Sequence, residues 1–234
     1  MCEGARLCAD AAAAGIIPEE LYITEESFSR YPEQVSILLE TAIDARMITP
    51  EIATRVSDTK HPQGVFAIFK KLDNSAQAVT IGNGGKYLLL AGLQDPGNLG
   101  TILRCAYAMG LDGAFIDDAC PDIYSPKVLR ASMGGSLRLP VAFVPDMQET
   151  IATLKQSNIT VWAAALAPNA VELNRKLLKS PCAILVGNEG SGLPTNLIEA
   201  CNNAVIIPMC EGAESLNAAA AASILMWEMQ NAGE

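Results

Sequence analysis

The chain has 234 residues, half of them hydrophobic and 18% charged, with a formal net charge of −10. That is the composition of a globular protein with a proper core, and its acidic balance argues against a broad electrostatic surface for nucleic acid while leaving room for a local basic patch. No apolar run reaches the length of a membrane span without charge, glycine or proline, and the opening "MCEGARLCAD" lacks the basic-then-apolar order of a secretory signal, so a cytoplasmic protein is expected.

Residues 1–71 read as a small α/β domain. Its elements are a helix at "ARLCADAAAAG", a strand at "ELYIT", a helix at "PEQVSILLETA", a short extended "ARMIT", a helix at "PEIATRVSDT" and a strand at "GVFAIFK". Pro50 stands at the favoured first position of its helix, with Thr49 before it as N-cap. Residues 72–85 are polar and glycine-rich and read as a linker; "IGNGG" within them precedes a strand rather than a helix, which makes it a turn.

From residue 86 to 234 the pattern changes to apolar strands, "YLLLAGL", "GAFI", "PVAFV", "TVWAAAL", "CAILVG" and "AVIIP", alternating with helices. Continuous apolar runs of this length suit strands buried on both faces of a parallel sheet. The last helix, within "ESLNAAAAASILMWEM", is alanine-rich near its start. Close packing against a neighbouring backbone or subunit and plain helix propensity both account for that.

Seven cysteines are scattered, without a CxxC pair, beside the single His61. The pattern argues against a disulfide framework and against a zinc site, so no metal is expected and the thiols read as small buried hydrophobes.

Ligands of open α/β sheets lie beyond the carboxyl ends of the strands. Three strands are followed by polar loops: "QDPGNLGTILR", "NEGSGLP" and "MCEGAESLN". The first looks like a phosphate-binding turn, but it offers only Gly97 and Gly100 around Asn98, lacks the full GxGxxG pattern and the P-loop lysine, and places Arg104 four residues after Gly100. In the second, residues 187–192 suit a main-chain cradle for a ligand. Taken singly, Glu189 also fits a solvated carboxylate, Arg104 a helix-face cation and Ser215 a cap of the last helix.

Together, in this order and spacing, the three stretches resemble the motifs of the SpoU (TrmH-type) RNA 2′-O-ribose methyltransferases of the SPOUT superfamily. The first motif matches at Asn98, Gly100 and Arg104, the second at "VGNEGSGLP" and the third at "IPMCEGAESLNAAAAASI". The N-terminal stretch "CEGARLCADAAAAG" resembles an element of the small, ribosomal-protein-like substrate-binding domain that precedes the catalytic domain in many of these enzymes. There a helix and a strand normally come first, so an N-terminally trimmed domain is expected.

The resemblance implies a parallel-sheet methyltransferase domain tied in a trefoil knot, a rare exception to unthreaded topology. It implies S-adenosylmethionine as cofactor near Leu166, Gly187, Ile207, Met209 and Leu216, and a ribose 2′-hydroxyl of RNA as the methyl acceptor. Arg104 matches the residue placed at that hydroxyl, with Asn98, Glu189, Ser215 and Asn217 as the polar residues that orient it and the substrate. Because arginine holds its proton at ordinary pH, its role stays open between base and stabiliser of a phosphate or alkoxide, with Glu189 the alternative proton acceptor. The Gly-Asn-Leu-Gly turn is then expected at an RNA phosphate. RNA contacts are expected from Lys127, Arg130 and Arg138, in a segment without an acid. A homodimer is implied, with the first-motif and last helices at its interface and Arg104 able to act across it. Ribosomal RNA is the first expectation for the substrate and transfer RNA the second; the alternative class is a catalytically idle RNA-binding module. A dinucleotide-dependent oxidoreductase is disfavoured by the missing fingerprint.

Overall fold

A computed structural model describes residues 1–212 and 215–232. The chain divides into two compact units, residues 1–72 and 73–234. The first contains β1 (Cys2–Glu3), α1 (Ala5–Ala13), β2 (Pro18–Ile23), α2 (Glu25–Arg30), α3 (Pro32–Thr41), β3 (Asp44–Met47), α4 (Pro50–Val56) and β4 (Val65–Phe69). Its mixed sheet runs β1-β4-β2-β3, antiparallel except for the β2/β3 pair. Thr49 caps α4 through a bond from the Ile52 amide, with Pro50 at the first position. Glu3 accepts bonds from Ser57 Oγ, Thr59 Oγ1 and the Asp58 amide, which ties β1 to the loop after α4.

The second unit holds β5 (Lys86–Leu90), α5 (Pro96–Ala108), β6 (Gly113–Asp117), α6 (Pro126–Ser132), β7 (Val141–Val144), α7 (Met147–Gln156), β8 (Thr160–Ala164), β9 (Val171–Glu172), β10 (Cys182–Val186), α8 (Thr195–Ala200), β11 (Asn203–Ile206) and α9 (Ala218–Asn231). Its seven strands are all parallel, in the order β7-β6-β5-β10-β8-β11-β9. Alternation along each strand feeds two cores. Leu88, Leu90, Ile184 and Val186 face α5, α6 and α9, whereas Tyr87, Leu89, Ala183 and Leu185 face α7 and α8. The small residues at the start of α9 serve this packing: Ala218, Ala219 and Ala222 are buried. Among the described residues no helix is long and apolar enough to cross a membrane.

Residues 73–85 are fastened to this second unit. The Phe143 amide donates to Asn74 O, Asn74 Nδ2 donates to Val141 O at the edge strand β7, and Val79 is buried in the α7 core. The glycine-rich "IGNGG" is a turn closed by the Gly85 amide on Gly82 O.

β5 and β10 lie side by side, and the chain runs outward from them in both directions, so the crevice beyond their carboxyl ends is the topological switch point where such sheets bind ligands.

Candidate active site

The stretch "DPGNLG" is not a turn before a helix but the first turn of α5 itself. Asp95 is the N-cap, its carboxylate accepting from the Asn98 amide at 2.9 Å, and Pro96 follows at the first helical position. Gly100 is there for packing: a Cβ on it would stand 2.6 Å from Ala131 Cβ and 2.7 Å from Val128 O, where α6 crosses. The carboxylates of Asp95 and Glu189 both stand at this helix start, Asp95 paired with Lys127. Bonding to the Asn98 amide first, and then Lys127 at 3.2 Å, hold the Asp95 carboxyl below its usual range.

The three motif loops meet over the ends of β5, β10 and β11. Asn217 Oδ1 caps α9 by accepting from the amides of Ala219 (2.9 Å) and Ala220 (3.2 Å), a job the sequence offered to Ser215. With its oxygen so committed, Asn217 presents Nδ2 to Asn98 Oδ1 at 2.9 Å, and Asn98 in turn presents Nδ2 to Glu189 Oε1 at 2.9 Å. The helix amides at one end and the carboxylate at the other thus fix the orientation of both side-chain amides. Ala213 and Glu214 of the third motif lie outside the described residues.

Glu189 also accepts from the amides of Gln94 (2.9 Å) and Asp95 (3.2 Å). Burial alone would raise its pKa, but the bonds from Asn98, Gln94 and Asp95 outweigh it, and the carboxyl titrates below its usual range. The three donors hold the carboxylate in one position between the first-motif and second-motif loops.

The second-motif loop is not an open main-chain cradle. The amides of Asn188 and Gly192 bond across to Gly192 O and Asn188 O, while those of Gly190 and Ser191 bond to Asn188 Oδ1. Both glycines singled out there are constrained, for different reasons. A Cβ on Gly187 would lie 2.7 Å from Leu193 Cδ2 and 2.9 Å from Gly192 O, whereas Gly192 has open space but a φ of +69°.

Two adjoining cavities complete the site. An apolar one of about 170 Å³ is lined by Leu166, Ile207, Met209, Ser215 and Leu216 among others, with Ala221 and Leu225 of α9 behind them. A polar one of about 560 Å³ is lined by Gln94, Asp95, Asn98, Asn188, Glu189 and the 215–218 segment. Ser215 and Leu216 are common to both. Leu166 is 81% exposed, an apolar side chain left at a cavity mouth. Four of the five residues expected at a cofactor are therefore brought together, while Gly187 lies outside the lining and supports the loop beneath.

Arg104 is not part of this cluster. It lies six residues beyond Asn98 on α5, about 9 Å along the axis and about a third of a turn around it, and it is exposed. Of the expected RNA-contact residues, Lys127 and Arg130 stand three residues apart on α6. Lys127 sits with Asp95 at the start of α5, and Arg130 is exposed on α6. Arg138 lies 5.6 Å over the Tyr107 ring near the other end of α5.

Sequence reasoning missed the residues that hold the first-motif loop. Asp117 at the end of β6 accepts from the Gly92 amide at 3.0 Å, and Asn188 Nδ2 donates to Gly92 O at 2.8 Å. An aspartate ending a strand carries no signal of such a partner; Gly92, with φ +68°, marks only the bend.

Exchanging Asn217 separates its two bonds. Asn217→Ala is expected to cost about 1 kcal/mol as a lost N-cap, which is about 2–4 °C in Tm for a chain of this size. Asn217→Asp keeps the cap but sets a carboxylate against Asn98 Oδ1, so it should melt like the parent while losing activity. Thermal denaturation beside turnover checks both outcomes.

Fold and site together give a parallel α/β sheet with an apolar cavity beside a polar one over the carboxyl ends of its strands. The family model described as the SpoU rRNA Methylase family matches residues 85–227, and that of the MRM3-like substrate binding domain matches residues 1–67. The chain belongs to the SpoU rRNA Methylase family. It is 31% identical over 228 residues, 97% of its length and 87% of the relative's, to the 23S rRNA (guanosine(2553)-2′-O)-methyltransferase RlmP of Bacillus subtilis. It is similar to the AdoMet-bound rRNA methyltransferase of Sinorhizobium meliloti, with a TM-score of 0.83 and 27% identity over 98% of this chain and 85% of that one. The SpoU methyltransferase AviRb of Streptomyces viridochromogenes, at 24% identity and a TM-score of 0.84 over 97% of this chain and 87% of that one, shares the fold.

Proposed function

We propose that the protein transfers a methyl group from S-adenosylmethionine to a ribose 2′-oxygen of ribosomal RNA. The observation that carries this reading is the unbroken bond path from Asn217 through Asn98 to Glu189, which borders the polar cavity directly beside the apolar one. S-adenosylmethionine supplies an electrophilic methyl on a sulfonium. The residues present fit it. Leu166, Ile207, Met209 and Leu216 offer apolar walls to its adenosine part. That cavity is smaller than the roughly 300 Å³ at which whole small-molecule sites begin, so the polar cavity, which shares Ser215 and Leu216 with it, would have to hold the amino-acid part. Membership of the SpoU family and the likeness to a protein crystallised with AdoMet support the same assignment.

The chain's own contribution is alignment. Asn98 and Asn217, locked in orientation, hold the polar wall in a single arrangement, and effective molarity rises steeply when the attacking and leaving atoms are held in line. Arg104 serves the 2′-oxygen as a fixed cation. Its placement away from Asn98 supports delivery from a second protomer, and hence a homodimer. The half-exposed Tyr107 on α5 and the exposed Ile224 and Trp227 on α9 give such a partner an apolar face. In this reading residues 1–71 contact substrate, residues 72–85 connect and residues 86–234 catalyse. The trefoil threading belongs to the same proposal, supported by β10 lying between the earlier strands β5 and β8.

Ribosomal RNA is favoured over transfer RNA because the chain matches the RlmP relative through both its units. The test is incubation of the full chain with tritiated S-adenosylmethionine and protein-free 23S ribosomal RNA or bulk transfer RNA. Label in the ribosomal RNA, at a phosphodiester that resists alkaline hydrolysis, is the expected result. Label in transfer RNA alone would move the substrate, and binding without label in either would mean an idle module.

A further inference from the structure

We propose that residues 173–179, the crossover that leaves β9, form a second grip on RNA, holding its phosphate backbone through Arg175, Lys176 and Lys179. This rests on the reading of RNA as substrate. The catalytic unit has nine lysines and arginines, and most of those outside this loop are already engaged. Lys86 Nζ donates to Gln230 Oε1 and Lys155 Nζ to Ala200 O, Lys127 pairs with Asp95, and Arg138 stacks on Tyr107. Among the described residues Arg104, Arg130 and these three have no ion pair or side-chain hydrogen bond. Three of the five uncommitted cations therefore sit within five residues of one another, all exposed. No acid occurs from residue 173 to 188.

The loop that carries them is held in place. The Leu173 amide donates to Ile206 O at 2.8 Å, and Leu178 is fully buried, with Leu173 and Leu177 packed against the same core. Between these anchors Asn174 closes a turn, its Oδ1 accepting from the Lys176 amide at 3.0 Å and its carbonyl from the Leu177 amide at 3.1 Å. The cations are thus displayed on fixed backbone, and a polyanion laid across them relieves their mutual repulsion without ordering a loop. Location fits the task. Ile206, bonded to Leu173, lines the apolar cavity, and Arg175 is only about 7 Å of chain further on. In a molecule of net charge −10, a patch of this kind is where a phosphate backbone is attracted rather than repelled.

The experiment measures binding of the full chain to protein-free 23S ribosomal RNA across a salt series, for the parent, for R175Q/K176Q/K179Q and for the charge-conserving R175K/K176R/K179R. Neutralising the loop is expected to lower the slope of log K against log salt by about one for each phosphate that no longer meets a cation, two to three in all. Binding should weaken at least tenfold at moderate salt, while S-adenosylmethionine affinity is unchanged. The charge-conserving variant should keep the parental slope. A neutralised variant with the parental slope and affinity overturns this loop as an RNA grip and leaves the methyltransferase reading intact. A parent that binds the RNA at no salt concentration overturns both.

Discussion

Arg104→Ala is expected to abolish methyl transfer to RNA, by at least the roughly 100-fold typical of losing one charge-stabilising donor, while S-adenosylmethionine binds as to the parent. The separation follows from where the side chain stands. Arg104 lines neither cavity and is exposed on α5, away from the Asn98 amide. Removing its guanidinium alters no wall of the cofactor site. Calorimetric titration with S-adenosylmethionine and a turnover assay on ribosomal RNA give the two readouts, and a variant that lost the cofactor yet turned over normally would refute the assignment. The same variant tests the source of the arginine. If Arg104 serves the partner's site, then mixing Arg104→Ala chains with Glu189→Ala chains and letting protomers exchange builds one intact site in each mixed dimer, and activity returns. No return would place Arg104 in its own protomer's site, and sedimentation of an active monomer would remove the dimer altogether.

The sheet was legible because its strands are buried on both faces. "YLLLAGL", "GAFI" and "CAILVG" are continuous apolar runs, and the structure places β5, β6 and β10 in them. β9 escaped notice because it is two residues long and both are exposed, so it has no apolar signature. The helix α2 escaped for a similar reason: its "EESFSR" has one buried residue, Ser27, and no stripe.

The site was legible as a set of residues but not as a set of bonds. Asn98, Glu189 and Asn217 could be singled out through the resemblance of three loops to the SpoU motifs, and they do converge. What spacing could not supply was direction. Whether Asn217 or Ser215 caps α9 depends on which side chain reaches the Ala219 amide, and that choice propagates through both amides to the carboxylate. Gly97 and Gly100 misled in the opposite sense. Glycine is equally compatible with a ligand's approach and with a crossing helix, and at Gly100 the neighbour is α6.

Glu189 offers the second large effect. Glu189→Ala is expected to lower turnover about as severely as the loss of Arg104, and Glu189→Gln to be nearly as damaging, with the fold retained in both. Three donors, the amides of Gln94 and Asp95 and the Asn98 side chain, converge on two carboxylate oxygens. A glutamine keeps one oxygen and must turn its own donor toward one of the three, so the charge-neutral replacement breaks the clamp it resembles. The pH dependence distinguishes a clamp from a base. The folded-state pKa of Glu189 is depressed, so the clamp's contribution is fully present above the ordinary carboxylate value of about 4.3 and is lost only as pH falls through the lower, folded value. Turnover by the parent should therefore show no loss assignable to Glu189 between neutrality and pH 5. A proton acceptor would instead require a raised pKa near the working pH, and an acidic limb in that window which disappears in Glu189→Gln. Rate profiles of the parent and the glutamine variant over that range decide it: an acidic limb present in the parent and absent in the variant would make Glu189 the base and leave the proton path, rather than alignment, as its role.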